Sequence, residues 1–321
     1  MPNSTNKAKR VQSPPLEVRL LREGIGESAH RVQATVCDDR GRLLSLAGNA
    51  DASTFARSTL KPFQALSLLA TDALDSYCLG DRDLAIACAS HNGAIAQARQ
   101  AFNILWRADI DPSELQCSTP PGKQSPLQHN CSGKHAAMLA ACQYCGWPLG
   151  TYLRPQSNVQ QFILRKVAEL LRLPAAELLG VRDDCGVPTY CLQLSQLATL
   201  YAHLSAGDNL YLERMARAMV HHPDAIAGEG EFDTELMRLS GGELVSKAGA
   251  EGVQCVGRLG EGMGLAVKAT DGAKRAKTAA TVHLLKQMGW LSPDAAEALA
   301  ERFQLLGEHK RLEVAGELSL L

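Results

Sequence analysis

The chain has 321 residues, 45% hydrophobic and 21% charged, ordinary usage for a soluble globular protein able to bury a full core. Its 33 Lys and Arg against 34 Asp and Glu leave a net charge of −1 with no long run of either sign, so no nucleic-acid partner is expected. No stretch reaches the roughly 20 apolar residues of a membrane span, so no membrane partner is expected either, and the expected location is cytoplasmic.

Residues 1–15 are polar, carry Lys7, Lys9 and Arg10, lack the apolar run of a secretory signal and end at Pro14 and Pro15; they read as a disordered tail. Residues 16–321 read as one domain of two interleaved lobes, because single cores stop growing near about 250–300 residues. Residues 16–22 and 30–37 alternate as strands do, and Asp38-Asp39-Arg40-Gly41 is a hairpin turn into residues 43–46. From Pro62 to about Cys78 the pattern is helical. Residues 84–89 form a short apolar run that stops at Ser90-His91-Asn92-Gly93, and Ile95, Ala98, Phe102 and Leu105 mark one face of a helix. A Pro- and Gly-containing loop over residues 117–128 precedes a helix carrying Met138, Cys142 and Cys145, which Gly146 and Pro148 end. Ser157-x-x-Gln160 predicts a capping box for a helix whose apolar stripe is Val159, Phe162, Ile163, Val167 and Leu170. Helices are expected after Pro188 and Asn209. Beyond Phe232 strand-like segments return at residues 243–247, 253–258 and 264–270, followed by two helices from about Lys274 and a short strand-like end. Strands at both ends with helices between predict an α+β fold, its terminal strands sharing one antiparallel sheet.

Four segments carry possible chemistry. In Ser58-x-x-Lys61 the lysine lies one helical turn beyond the serine, so a desolvated amine can act as base to the hydroxyl; the pattern alone also fits an exposed serine and a solvated lysine. In the segment from His129 to His135, Cys131, Lys134 and His135 sit at i, i+3 and i+4 near a helix start, an environment that favours a thiolate; a capped helix start with a buried cysteine is the alternative. Asp183-Asp184-Cys185-Gly186 offers a second thiol beside carboxylates. Lys247-Ala248-Gly249-Ala250 places a lysine at the end of a strand before small residues that admit a ligand or another backbone. The ten cysteines are scattered and read as reduced. Cys142 and Cys145 fall on the Met138 stripe and are assigned to the core, and Cys37, Cys78, Cys88, Cys117 and Cys191 are read as structural.

Taken in order, Glu27-Ser-x-His30, Arg57-Ser-x-x-Lys-Pro62, Ala89-Ser-His-x-Gly93, Asn130-Cys-Ser-Gly-Lys-His135, Asp183-x-Cys-Gly-Val-Pro188, Phe232-Asp-Thr234, Lys247-x-Gly-Ala-Glu-Gly252 and Ala266-Val-Lys268 resemble the asparaginase II family, the rhizobial-type or class 3 L-asparaginases. The resemblance runs from about Leu16 to the C-terminus. It implies a serine β-lactamase- and glutaminase-like fold, a homodimer, and hydrolysis of L-asparagine to L-aspartate and ammonia. Its two serine-lysine tandems fall on Ser58 with Lys61 and on Ser90 with Lys268, and its zinc site on Cys131, Lys134 and Cys185. Arg57, His135, Asp183 and Cys255 match positions in contact with substrate or next to the metal. Of the two serines, Ser58 is the expected nucleophile, because Lys61 lies within its own helix. Two rival readings remain: another amidohydrolase of the same fold, a glutaminase or β-lactamase-like enzyme, and a non-catalytic zinc-stabilised protein that binds a small amino acid.

Overall fold

The computed structural model describes residues 12–321. Most of the expected tail, residues 1–11, lies outside them. Gln12 bridges Asn49, and Ser13 exchanges backbone hydrogen bonds with Gly48 at 2.9 and 3.1 Å, so this part of the segment is paired.

Among the described residues eleven strands occur in chain order: β1 (Leu16–Arg22), β2 (Ile25–Asp38), β3 (Leu43–Ala47), β4 (Ser53–Phe55), β5 (Leu179–Arg182), β6 (Pro188–Gln193), β7 (Leu244–Ala248), β8 (Val253–Arg258), β9 (Met263–Ala269), β10 (Lys310–Ala315) and β11 (Ser319–Leu320). The main sheet runs β10-β1-β2-β9-β8-β7, with β3 joined to β2 and β11. Every pairing in it is antiparallel, and β1 meets β10 in the register Leu20 to Leu312, so the two ends of the chain close one sheet as the alternation at each end predicts. The fold is α+β.

One sheet face turns Leu16, Val18, Val32 and Val267 against Leu284 and Leu299, from the helices Lys274–Gln287 and Pro293–Gln304. The other face packs on the helix Leu194–Ala206 and, through Phe63, Leu84, Met138 and Tyr201, on a lobe of helices. Removal of any such large side chain would cost about 2–5 kcal/mol, because the close-packed interior relaxes only partly around the void. Among the described residues no helix is long and apolar enough to cross a membrane.

The smaller sheet, β4-β6-β5, was not expected. The helix expected after Pro188 begins at Leu194, and the strand before it was missed: Thr189 and Tyr190 suit a pleated strand and pair with β5. This sheet positions the site: Ala56 N–H donates to Tyr190 O at 2.9 Å and Arg57 N–H to Thr189 Oγ1 at 2.9 Å, which brings Ser58 beside the 183–187 turn. Other departures are local. The run at 84–89, left without an element because a short apolar run does not declare its period, falls as far as Cys88 in the helix Asp81–Cys88, started by Asp83 Oδ2 accepting Gly80 N–H at 2.9 Å. Helix Ile95–Arg107 buries Gln97, Ala101, Ile104 and Leu105, leaving Ile95 and Phe102 exposed, because the small Ala101 lets it lie close to the lobe. The capping box at Ser157 does not form, since Gln160 is buried and donates to Tyr152 O instead. Phe232–Leu239 is a helix before β7 begins, and Cys78 is exposed rather than packed.

Candidate active site

Lys61 begins the short helix Lys61–Gln64, directly after a 3-10 turn at Arg57–Leu60, and is fully buried. The solvated reading of this lysine is therefore wrong. Its Nζ donates to Ala89 O at 2.7 Å and Asn130 O at 3.0 Å, and lies 2.9 Å from Ser90 Oγ. Burial lowers its pKa, with the neighbouring Lys134 acting the same way and the Cys131 thiol opposing. Two carbonyls thus take two N–H bonds, and the amine's remaining position faces a hydroxyl. The serine touched by Lys61 is Ser90, not Ser58: the long side chain runs past its own turn to the chain segments at 89 and 130. Those segments meet because Gly133 has no side chain, since a Cβ there would sit 2.0 Å from Ile86 O. Ser90 is held in turn by its N–H on Ile226 O at 2.8 Å and by neighbouring His91, whose Nε2 is 2.9 Å from Ser132 Oγ.

Ser58 and Ser90 line one cavity of about 290 Å³, closed by Asn130, the 248–252 turn, Gln254 and Lys277. Ser58 Oγ has no hydrogen-bond partner among the described residues. Its N–H likewise has no partner among the described residues: in a 3-10 turn the first donors have no internal acceptor, and while Ala56 and Arg57 find theirs in β6 and Thr189, Ser58 does not. Ala250 N–H, on the same cavity, is likewise unpaired. Arg57 holds a left-handed φ of 50° beside this serine, the kind of backbone strain that concentrates at functional sites.

The cavity wall is held from behind by Asp233. Its Oδ1 accepts from Ser246 Oγ at 2.8 Å and Gln254 Nε2 at 2.7 Å, its Oδ2 from Ala248 N–H at 2.7 Å, and Lys247 Nζ lies 3.8 Å away. Lys247, fully buried, is pulled down to about 7 by desolvation against the opposing Asp233 charge. Lys277 donates to Gly249 O at 2.7 Å and Val253 O at 2.8 Å, and burial pulls it down to about 8. Asp233→Ala is expected to lower unfolding free energy by about 3–5 kcal/mol, because it strands a buried lysine and three donors. Urea unfolding measures this, and a loss under about 1 kcal/mol would show that the network contributes little.

Lys268 does not pair with Ser90 here. Its Nζ donates to the carbonyls of Glu251, at 2.7 Å, and Ala269, because on β9 it faces the end of the 248–252 turn. The remaining expected residues gather around the thiols rather than along the cavity. Cys131 and Cys185 are buried; Cys131 Sγ donates to Asn130 Oδ1 at 3.1 Å, and Lys134 Nζ donates to Cys185 Sγ at 3.2 Å. The neighbouring Cys185 thiol, with the amines of Lys61 and Lys134, holds Cys131 well below the usual thiol range, while Cys185 beside it is pushed up. Arg57 Nε donates to Asp183 Oδ1 at 2.6 Å and its NH2 to Asp184. His135 Nδ1 is 2.7 Å from Tyr152 OH, which receives Gln116 N–H, so Tyr152 donates to Nδ1 and the Nε2 proton is left buried without a partner. Desolvation lowers His135 to about 3. Cys255 is fully buried, its thiol pushed up to about 12 by desolvation. Cys142 is buried and Cys145 half-buried, both free thiols.

Among the described residues no group of three or more His, Cys, Asp and Glu is placed to hold a metal. The zinc set differs in kind: two thiols and one amine. These donors fit zinc, since they converge in a buried site, soft thiolates suit it, and a three-donor set leaves a fourth position open. Without metal, burial works to lower Lys134, yet the two thiols and Asp183 keep it raised, so metal binding would have to displace its proton.

A buried amine thus lies on a serine hydroxyl, in a cavity that a second serine also lines. The family model for L-asparaginase II matches residues 18–320, and the chain belongs to this family. No curated protein matches the chain. Similar solved structures include Mglu in its native form in 4.3 M NaCl, at 14% identity and a TM-score of 0.41 over 81% of this chain. The chain spans 61% of the length of that Mglu chain. A β-lactamase from Mycobacterium bovis is similar at 12% identity and a TM-score of 0.36, over 85% of this chain and 95% of that one.

Of the residues around the cavity, Lys277 and Gln254 were not singled out from sequence, and Asp233 and Glu251 appeared only inside motifs, with no role given to them. Lys277 left one usable signal: it stands among Ala276, Thr278, Ala279 and Ala280, a helix surface too small-sided to be solvated.

Proposed function

We propose that the protein hydrolyses the side-chain amide of L-asparagine to L-aspartate and ammonia through an acyl-enzyme on Ser58. The observation that carries this reading is the buried Lys61 amine, held by two carbonyls and directed at Ser90 Oγ in the cavity that Ser58 also lines. Ser58 Oγ attacks the amide carbon while its proton passes through the Ser90 hydroxyl to Lys61. The N–H groups of Ser58 and Ala250 receive the charge on the carbonyl oxygen. Collapse breaks the C–N bond, and the proton on Lys61 returns through Ser90 to the departing nitrogen, which leaves as ammonia. Water then attacks the β-aspartyl ester, giving its proton along the same path, and Ser58 is restored as L-aspartate leaves. Zinc, where held by Cys131, Lys134 and Cys185, would supply an anchor for a substrate oxygen. Family membership supports this reading, together with a homodimer and a cytoplasmic location.

A second reading makes Ser90 the nucleophile, favoured by its direct 2.9 Å contact with Lys61. Against it, the Ser90 N–H is spent on Ile226 O, whereas Ser58 has both a free hydroxyl and a free N–H.

The purified protein is expected to release ammonia from L-asparagine at least 10-fold faster, in kcat/KM, than from L-glutamine, because one extra methylene shifts the amide from the serines. Equal values would point to a broader amidohydrolase, and asparagine binding without ammonia would leave only a binding protein. Metal analysis is expected to find stoichiometric zinc, strongly reduced in Cys131→Ser and Cys185→Ser. Unchanged zinc in the double variant would remove these thiols from the metal site.

A further inference from the structure

Resting on that reading, we propose that Glu251 recognises the α-ammonium group of the substrate, so that the cavity selects amino acids over amides that lack the amine. Glu251 lines the cavity with both serines. Its backbone has a left-handed φ of 55°, uncommon for glutamate, and its carbonyl is held in that geometry by Lys268 Nζ at 2.7 Å. Lys268, expected at the reacting serine, is in this account a positioning residue for Glu251. The carboxylate lies over Gly272, where an added Cβ would come 2.7 Å from Glu251 Oε2; only glycine leaves that space. The other two acids of the cavity are occupied. Glu231 pairs with Lys274 at 3.0 Å, and Asp233 accepts from Ser246, Gln254 and Ala248. Among the described residues Glu251 makes no ion pair, which leaves it as the acceptor for an incoming cation. L-asparagine carries such a cation, and succinamate is the same amide without it.

The test is steady-state ammonia release from L-asparagine and succinamate by the full-length wild type, Glu251→Gln and Lys268→Met, with melting temperatures compared. Glu251→Gln is expected to lose about 10–100-fold in kcat/KM on L-asparagine, the range of one charge-assisted hydrogen bond, and to be unchanged on succinamate. Lys268→Met is expected to move the same way by less. An equal loss on both substrates, or none on either, would overturn the assignment. If the wild type releases ammonia from neither compound, the hydrolytic reading fails, and calorimetry with L-aspartate and succinate then reads the subsite alone. A selective loss of L-aspartate affinity in Glu251→Gln would support it, and parallel affinities would overturn it.

Discussion

Lys61→Met is expected to reduce ammonia release from L-asparagine by about 10³–10⁴-fold while leaving a folded protein. General-base assistance to a hydroxyl is worth about 10²–10⁴-fold, and removing one member of a coupled site forfeits most of what the set achieves together. Methionine has nearly the length of lysine, so the buried channel stays filled. The substitution strands the carbonyls of Ala89 and Asn130, at about 1–3 kcal/mol each, but it also removes an amine that is costly to bury. A melting temperature shifted by only a few degrees is therefore expected beside the kinetic loss. Residual activity within 10-fold of the wild type would remove Lys61 from the chemistry.

Ser58→Ala and Ser90→Ala are expected to fall by about 10³–10⁴-fold each, and the double variant no further, because a proton path broken at one hydroxyl is already broken. The two singles differ in what they accumulate. With Ser90 removed, Ser58 keeps its place in the cavity beside its own N–H, so slow acylation remains possible. With Ser58 removed no ester forms at that position. Losses that multiply in the double variant would mean that the serines act independently.

The frame of the fold was legible because it rests on period-two alternation. Leu16, Val18 and Leu20 in β1 and Leu312 in β10 state their register in the sequence, and the glycines between β7, β8 and β9 punctuate the hairpins. The β4-β6-β5 sheet was not legible, since Ser53–Phe55 and Leu179–Arg182 are too short to show a period and the helix after Pro188 drew the reading away from the strand before it. At the site, the motif order brought forward Ser58, Lys61, Ser90, Cys131, Lys134 and Cys185, all of which the fold gathers around Lys61 and the thiols. Spacing failed on the pairing. A one-turn separation says that Ser58 and Lys61 share a face, but the acceptors that fix a long lysine come from residues 89 and 130, which spacing cannot report. Lys268 misled for the same reason, since Glu251 O lies nearer in the fold than any serine it approaches in the motif. Lys277 acts on backbone groups, and a side chain whose partners are peptide carbonyls leaves no pattern in sequence.

The most direct test of the serine-lysine account is to mix the wild type with L-asparagine, quench in acid within one turnover, and map covalent adducts by peptide mass spectrometry. The account predicts a β-aspartyl ester on Ser58, absent in Ser58→Ala and formed more slowly in Lys61→Met. An ester on Ser90, or rapid ammonia release by Ser58→Ala without any ester, would contradict it.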